Sequence, residues 1–172
     1  MRKKGVEIFD PFFVPQRDKN MLKDSIRAGE LFKELVPLVS SLGYTVVDVQ
    51  DSVVKRVRHV HLVIRNPHGN TSLEDCSAVS RLVQPRLLMI FDARDIHLEV
   101  SSPGLSRNFK DVYEFEVFVG EQVKILIGDS WREGILQSFD GSQVVLIMGE
   151  AQEVFSLDHI KKAKLAGSLK EK

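Results

Sequence analysis

Three histidines and a glutamate are the side chains in this sequence whose spacing comes nearest to a metal or acid–base site. His59 and His61 lie two residues apart in a segment rich in β-branched residues, so both would project from one face of a strand. A metal ion would need a third ligand, and the nearby sequence supplies none. His97 and Glu99 share a strand face in the same way, but an exposed pair of this kind commonly forms only a modest surface interaction. We therefore expect no metal ion, no other cofactor and no acid–base catalysis.

The adjacent serines Ser101 and Ser102 are candidate nucleophiles. A hydrolase elbow places glycine two residues to either side of its serine, whereas Pro103 follows here and has no amide to offer an oxyanion. The sequence also contains no phosphate-binding loop ending in Gly-Lys-Ser or Gly-Lys-Thr. The single Cys76 can form no internal disulfide, which suits a reducing cytoplasm. A hydrolase that uses Ser101 or the histidines thus lacks supporting motifs, and we interpret the chain as a binding protein.

The composition is that of a folded globular protein. The 172 residues are 43% hydrophobic and 28% charged, which excludes a wholly disordered or disulfide-built chain. The longest apolar runs, residues 87–91 and 144–148, have five residues each, far fewer than the roughly 18 that a membrane-spanning helix needs. We expect a soluble protein with no membrane partner.

The charge balance restricts how the chain could bind nucleic acid. Its 24 basic and 24 acidic side chains give a net charge of zero, so any RNA contact must be local. Two short groups of cations stand out: Lys55, Arg56 and Arg58, and Lys161, Lys162 and Lys164. Short basic runs are commonly solvated surface. Each group is therefore either solvated surface or a set of contacts to a partner.

The apolar pattern divides the chain at about residue 106. Residues 1–22 contain two prolines and predict a poorly ordered extension. Residues 23–106 predict a helix from Ile26 that ends at Gly43, a hairpin, a second helix capped by Ser72 and Asp75, and a third strand. The order helix, strand, strand, helix, strand predicts an α+β sandwich with two helices on one face of a three-stranded sheet.

Residues 107–172 have a different pattern, with short strands separated by tight turns. Strands are predicted at residues 122–127, 131–139, 143–148 and 153–155. Several short strands in so few residues favour a small antiparallel β-barrel. The pentapeptide Ser101-Ser102-Pro103-Gly104-Leu105 would then be the hinge between the two domains.

Two sequence stretches carry a more specific signal, residues 73–81 (LEDCSAVSR) and residues 98–107 (LEVSSPGLSR). Together with Phe118-Val119-Gly120 and the junction Leu42-Gly43-Tyr44, they resemble the RimP family of ribosome maturation factors over about residues 26–165. Two positions depart from the family pattern: Ser106-Arg107-Asn108 stands where Asp-Arg-Pro is usual, and Arg65 replaces an acidic residue.

This resemblance implies a specific fold and role. The second domain would be an SH3-like (Sm-like) barrel, and the protein would be a non-enzymatic, monomeric, cytoplasmic factor. It would bind the free small ribosomal subunit late in assembly, near a ribosomal protein of the decoding region. A stand-alone RNA-binding module, with single strands bound by the barrel, remains the alternative.

The candidate contacts to ribosomal RNA lie mainly before the barrel. They are Lys55, Arg56, Arg58, Arg81, Ser101, Ser102 and Arg107. Pro103 and Gly104 predict a type II turn, in which Gly104 would adopt a positive φ. The pentapeptide from Ser101 to Leu105 is either a rigid linker or a segment that presents its hydroxyls and the nearby Arg107 to RNA phosphates or a partner. Arg81 forms either a surface salt bridge or a contact to ribosomal RNA. Because residues 107–172 carry 9 basic and 11 acidic side chains, we expect the barrel to bind a basic ribosomal protein instead of RNA.

Overall fold

A computed structural model describes residues 27, 29–92 and 96–167 of the chain. The predicted extension, residues 1–22, lies outside these residues, as does Ile26. The described chain is a mixed α+β fold, as the sequence predicted. Its elements, in chain order, are α1 (Glu30–Ser41), β1 (Thr45–Val54), β2 (Val57–Arg65), α2 (Leu73–Ile90), β3 (Ile96–Ser101), α3 (Tyr113–Val117), β4 (Gln122–Ile127), β5 (Ser130–Phe139), β6 (Gln143–Met148), β7 (Ala151–Ser156) and β8 (Ile160–Leu165).

The ends of the two long helices follow their sequence signals. Gly43 has a φ of +83°, and its amide donates to the carbonyl of Ser40 at 2.9 Å, which closes α1 as predicted. At the start of α2, the Ser72 hydroxyl accepts from the Asp75 amide at 3.1 Å and the Asp75 carboxylate accepts from the Ser72 amide at 2.8 Å. This capping box confirms the predicted start of the second helix.

The first sheet has the strand order β1-β2-β3, with β2 antiparallel to β1 and parallel to β3. Val60, Leu62 and Ile64 of β2 form one core cluster with buried residues of α1 and α2. The side chains at alternate positions of β2 project from the opposite face, which the two helices do not cover. This helix-free face meets the second half of the chain at one end.

A bulge in β1 turns the neighbouring side chains of Val47 and Asp48 toward the second half of the chain. Val46 pairs with Ile64 and Asp48 pairs with Val63, so Val47 has no partner of its own in the ladder. Val46 joins the core beneath the helices, whereas Val47 and Val63 join the core of the second half. The bulge therefore connects the first sheet to the residues that follow it.

The second half is a five-stranded antiparallel sheet in the order β7-β6-β5-β4-β8. The four predicted strands are confirmed to within two residues at each end. The sequence did not predict β8, because its lysines Lys161, Lys162 and Lys164 obscure the alternation, nor the short helix α3. The two edge strands, β7 and β8, are not hydrogen-bonded to each other, so backbone pairing among the described residues leaves this sheet open.

The second core is rich in aromatic rings. Phe109 lies 5.2 Å from Phe115 and 5.3 Å from Phe118, measured between ring centroids. Tyr113 of α3 packs against Phe32 of α1 with 5.5 Å between ring centroids, so α3 contacts the first half. None of the helices within the described residues is long and apolar enough to cross a membrane.

Candidate functional site

The turn between β1 and β2 presents two cations at its apex. Lys55 and Arg56 are the two central residues of the turn and have φ values of +50° and +69°. Positive φ at both central positions is what a type I′ hairpin turn requires, and glycine or asparagine usually supplies it. Both side chains are exposed, and neither makes an ion pair or hydrogen bond with any residue that the structure describes. Two available cations therefore lie at the apex of the hairpin, on backbone whose left-handed conformation is unfavourable for Lys and Arg.

Arg58 differs from its two neighbours because its charge is already engaged. Its Nη1 atom lies 3.1 Å from Oδ2 of Asp51, and its guanidinium carbon lies 3.7 Å from the ring centroid of Phe91. These contacts anchor the base of the hairpin to the end of α2. Of the predicted basic cluster, Lys55 and Arg56 are thus the cations that remain available.

The helix-free face of the first sheet gathers polar side chains from all three strands. We call it the histidine face, and its members are Gln50, Ser52, His59, His61, His97, Glu99 and Ser101. The rings of His59 and His97 are 5.1 Å apart between centroids, with an interplanar angle of 48°. The sequence placed His59 and His61 on one strand and His97 and Glu99 on another, but only the parallel pairing of β2 with β3 brings the two pairs together.

The arrangement of His61, Ser101 and Glu99 is not a catalytic triad. The Nε2 atom of His61 lies 2.8 Å from the Ser101 hydroxyl and 3.9 Å from the nearest Glu99 carboxylate oxygen. A triad needs the carboxylate at the other ring nitrogen, where it fixes the tautomer that accepts the serine proton. Here both partners approach the same nitrogen. In the described part of the chain, no three His, Cys, Asp or Glu side chains are placed to share a metal ion.

The prediction of a type II turn at Pro103 and Gly104 is wrong. Gly104 does not have a positive φ, and a Cβ added to it would meet nothing within 4 Å. The turn lies further along the chain, where the Arg107 amide donates to the Gly104 carbonyl at 3.0 Å. Pro103 therefore precedes the turn instead of forming its corner. Ser102 is exposed, whereas the Ser101 hydroxyl is engaged by His61.

Arg107 lies in a largely buried ion cluster between the two halves of the chain. Its guanidinium bonds both carboxylate oxygens of Glu114, with 3.0 Å from Nη2 to Oε1, and also Asp48 at 3.1 Å. Lys110 adds a contact of 2.9 Å to the same Asp48 oxygen. The side chains of Arg107, Asp48 and Glu114 are 10%, 7% and 0% exposed, respectively.

The charges in this cluster stabilise one another. Burial alone would raise the pKa of Asp48, but hydrogen bonds from Gln50, Lys110 and Arg107 outweigh it, so the pKa lies below its ordinary value. Burial alone would lower the pKa of Arg107, but the Glu114 and Asp48 carboxylates hold it above its ordinary value. We therefore assign Arg107 to joining the halves of the chain and remove it from the candidate contacts.

A second arginine, Arg65, also joins the halves. At the end of β2, it donates to the Val117 carbonyl and to Glu121, the latter at 2.7 Å. Its guanidinium carbon lies 5.5 Å from the Phe118 ring centroid. No local sequence signal marks Arg65, because its partners lie more than fifty residues further along the chain.

The remaining candidate cations are dispersed. Arg81 is exposed on α2, which packs on the opposite face of the sheet from the histidine face. Within the described residues its side chain has no ion-pair partner. In β8, Lys161 lies 3.8 Å from Asp129, and Lys164 lies 5.0 Å from the Trp131 ring centroid. The structure thus does not assemble these residues with the hairpin apex into one patch.

Two comparisons with known proteins agree with each other. The family model described as the RimP N-terminal domain matches residues 34–106. The chain is also 35% identical to the ribosome maturation factor RimP of Microcystis aeruginosa in an alignment 128 residues long that covers 68% of this chain and 79% of that protein. Both matches include the capped helix α2 and the strand β3 that carry the sequence motifs. The chain belongs to the RimP family of ribosome maturation factors.

Proposed function

We propose that this protein is a ribosome maturation factor that binds the free small ribosomal subunit and promotes its late maturation by binding, without catalysing a reaction. The relationship to a protein named as a ribosome maturation factor carries this proposal. The hairpin apex supports the choice of surface, because Lys55 and Arg56 keep their charges unpaired within the described residues. The protein would act as a monomer in the cytoplasm, where ribosomes assemble.

The two halves of the chain would have different partners. Lys55 and Arg56 suit the phosphates of ribosomal RNA, to which cations contribute most of the sequence-independent affinity. Residues 107–172, with 11 acidic and 9 basic side chains, suit a basic ribosomal protein of the decoding region. The ion cluster of Arg107 with Asp48 and Glu114 would hold the two surfaces at a set spacing.

The finer architecture is part of this proposal. Residues 23–106 would form a sandwich of two helices on a three-stranded sheet, since α1 and α2 share one core cluster with β2. Residues 107–172 would form an SH3-like (Sm-like) barrel. The support for a barrel is that the edge strands β7 and β8 both pack on one core, through Phe155 and through Ile160 and Ala163, respectively.

Co-sedimentation tests the proposed role. The full-length protein should pellet with free small subunits and not with assembled ribosomes. The double variant Lys55→Glu/Arg56→Glu should bind subunits more weakly and with a shallower salt dependence, because two phosphate contacts are lost. The double variant Lys33→Glu/Arg86→Glu makes the same charge change at exposed positions of α1 and α2, away from both proposed partner surfaces, and should bind normally. Equal partition of the wild-type protein between free subunits and assembled ribosomes would contradict the proposed function.

Photo-crosslinking in the bound subunit tests the division of partners. A photoreactive residue in place of Val154, which is 54% exposed on β7, should crosslink to a ribosomal protein. The same residue in place of the exposed Ser52 should crosslink to ribosomal RNA. The opposite pattern would favour a different function, a stand-alone RNA-binding module. One observation does favour that module, namely the exposed Trp131 ring beside Lys164 on the second sheet.

A further inference from the structure

The histidine face and the hairpin apex are one continuous surface. In the antiparallel ladder, Gln50 pairs with His61, Ser52 with His59 and Val54 with Val57, so these three pairs follow one another toward the turn on the same face. Val54 and Val57 are 52% and 37% exposed. We call this surface the strip, which comprises the histidine face, Val54, Val57 and the apex residues Lys55 and Arg56.

The chemistry changes along the strip in a regular way. Two unpaired cations occupy the apex, two exposed valines follow, and the His59 and His97 rings lie side by side after them. Next to these rings are the Ser52 hydroxyl, the Gln50 amide, whose nitrogen donates to Asp48, and the Ser101 hydroxyl, which His61 engages. The strip therefore offers phosphate-binding cations, flat rings and hydrogen-bonding groups in one row.

Negative charge is scarce on this surface. Glu99 is the one carboxylate on the exposed part of the strip among the described residues, and it lies 3.9 Å from His61. Asp51 is on the other face of the sheet, where Arg58 neutralises it at 3.1 Å. At the inner end of the strip, Asp48 is covered by Arg107 and Lys110. A polyanion would meet little repulsion along the strip.

We propose that the strip binds a single-stranded segment of RNA, with its phosphates at Lys55 and Arg56 and its bases stacked on the rings of His59 and His97. Imidazole rings are among the platforms on which proteins stack unpaired bases, and stacking is open only to bases that are not already paired in a helix. A basic protein partner is disfavoured because the apex would repel it. This inference rests on the proposed function and names the RNA class that the surface would bind.

The dimensions of the strip agree with such a ligand. The four steps from Val57 to His61 in β2 span about 13 Å at the usual rise of a strand. That length accommodates several stacked bases. The far end of the strip is closed by the second half of the chain, where Val63 is buried in the shared core.

Binding of a fluorescent RNA to the full-length protein tests the inference. The probe is a single strand of about 12 nucleotides, a length in the range that small single-strand-binding domains cover, and the duplex of the same sequence is the comparison. The wild-type protein should bind the single strand more tightly than the duplex. The double variant His59→Ala/His97→Ala should lose about tenfold or more in affinity for the single strand, because two stacking platforms are removed.

Two further variants separate stacking from general damage. His59→Phe/His97→Phe retains flat rings and should recover most of the single-strand affinity. His68→Ala/His159→Ala removes two exposed histidines that lie outside the strip and should bind like the wild type. Unchanged affinity in His59→Ala/His97→Ala, or a wild-type preference for the duplex, would overturn the inference, as would a crosslink from position 52 to protein instead of RNA.

Co-sedimentation of the same proteins distinguishes failure of this inference from failure of the proposed function. If the wild-type protein binds free subunits but no single-stranded probe, the strip is misassigned while the maturation role stands. If the wild-type protein does not bind free subunits, the proposed function itself fails, whatever the oligonucleotide result.

Discussion

The Nη2 atom of Arg107 lies 3.1 Å from Oδ2 of Asp48, although 59 residues separate the two positions. The same guanidinium bonds Glu114, so one cation connects a strand of the first sheet to the short helix α3. The cluster lies where the bulge in β1 turns Asp48 toward the second half. Because these side chains are largely buried, loss of one member leaves charges without compensation.

Removal of the Arg107 guanidinium should therefore destabilise the fold. Arg107→Ala should lower the free energy of unfolding by about 3–5 kcal/mol, the usual effect of breaking a buried ion pair on one side. Urea unfolding followed by circular dichroism measures this. Arg132→Ala, at an exposed position of β5, is the control and should change stability by less than about 0.5 kcal/mol. Similar effects of both variants would show that the buried cluster contributes no special stability.

The lowered pKa of Asp48 predicts an acid-dependent loss of stability. A carboxyl whose pKa is lower in the folded state stabilises the fold above its unfolded-state pKa, which is about 3.9 for aspartate. This contribution should disappear as the pH falls from there through the folded-state pKa. Asp48→Asn should be less stable than the wild type at neutral pH, and the difference should narrow in acid. Urea midpoints at a series of pH values would show it, and a constant difference would contradict it.

The strained apex predicts opposite effects on stability and on binding. Lys55→Asn/Arg56→Gly would place residues that tolerate positive φ at both central positions of the turn. The free energy of unfolding should rise by about 2 kcal/mol, because a left-handed conformation costs other residues roughly 1 kcal/mol each. Affinity for the free subunit should fall, since both cations are lost. Thermal unfolding together with co-sedimentation tests this, and a more stable variant with full affinity would argue against contact at the apex.

Two glycines should respond differently to the same substitution. Gly104→Ala should be nearly neutral, because the added Cβ meets nothing within 4 Å and φ is not positive. Gly134→Ala in β5 should cost about 1–3 kcal/mol, since its Cβ would lie 2.6 Å from the Ile147 carbonyl oxygen. Thermal unfolding of the two variants compares them directly. A larger loss for Gly104→Ala would mean that the turn after Pro103 is assigned incorrectly.

Local features of this protein were determined by the sequence alone. The capping box at Ser72 and Asp75 and the left-handed Gly43 at the end of α1 depend on side chains and glycines within a few residues, so pattern reasoning found both. Strands β4 to β7 of the second half followed from alternation and turns in the same way, whereas β8 did not. The motifs around α2 and β3 also identified the family.

Tertiary structure alone decided which side chains remain available for a partner. In the sequence, Arg107 and Arg58 were candidate contacts just as Lys55 and Arg56 were. In the fold, Arg107 is ion-paired with Asp48, and Arg58 contacts Asp51 and the Phe91 ring. The strip likewise exists because β2 pairs in parallel with β3, which brings His59 beside His97. Such contacts depend on strand pairing and on a bulge between residues far apart in the chain. Local periodicity records which face a side chain occupies, but not what it will meet there.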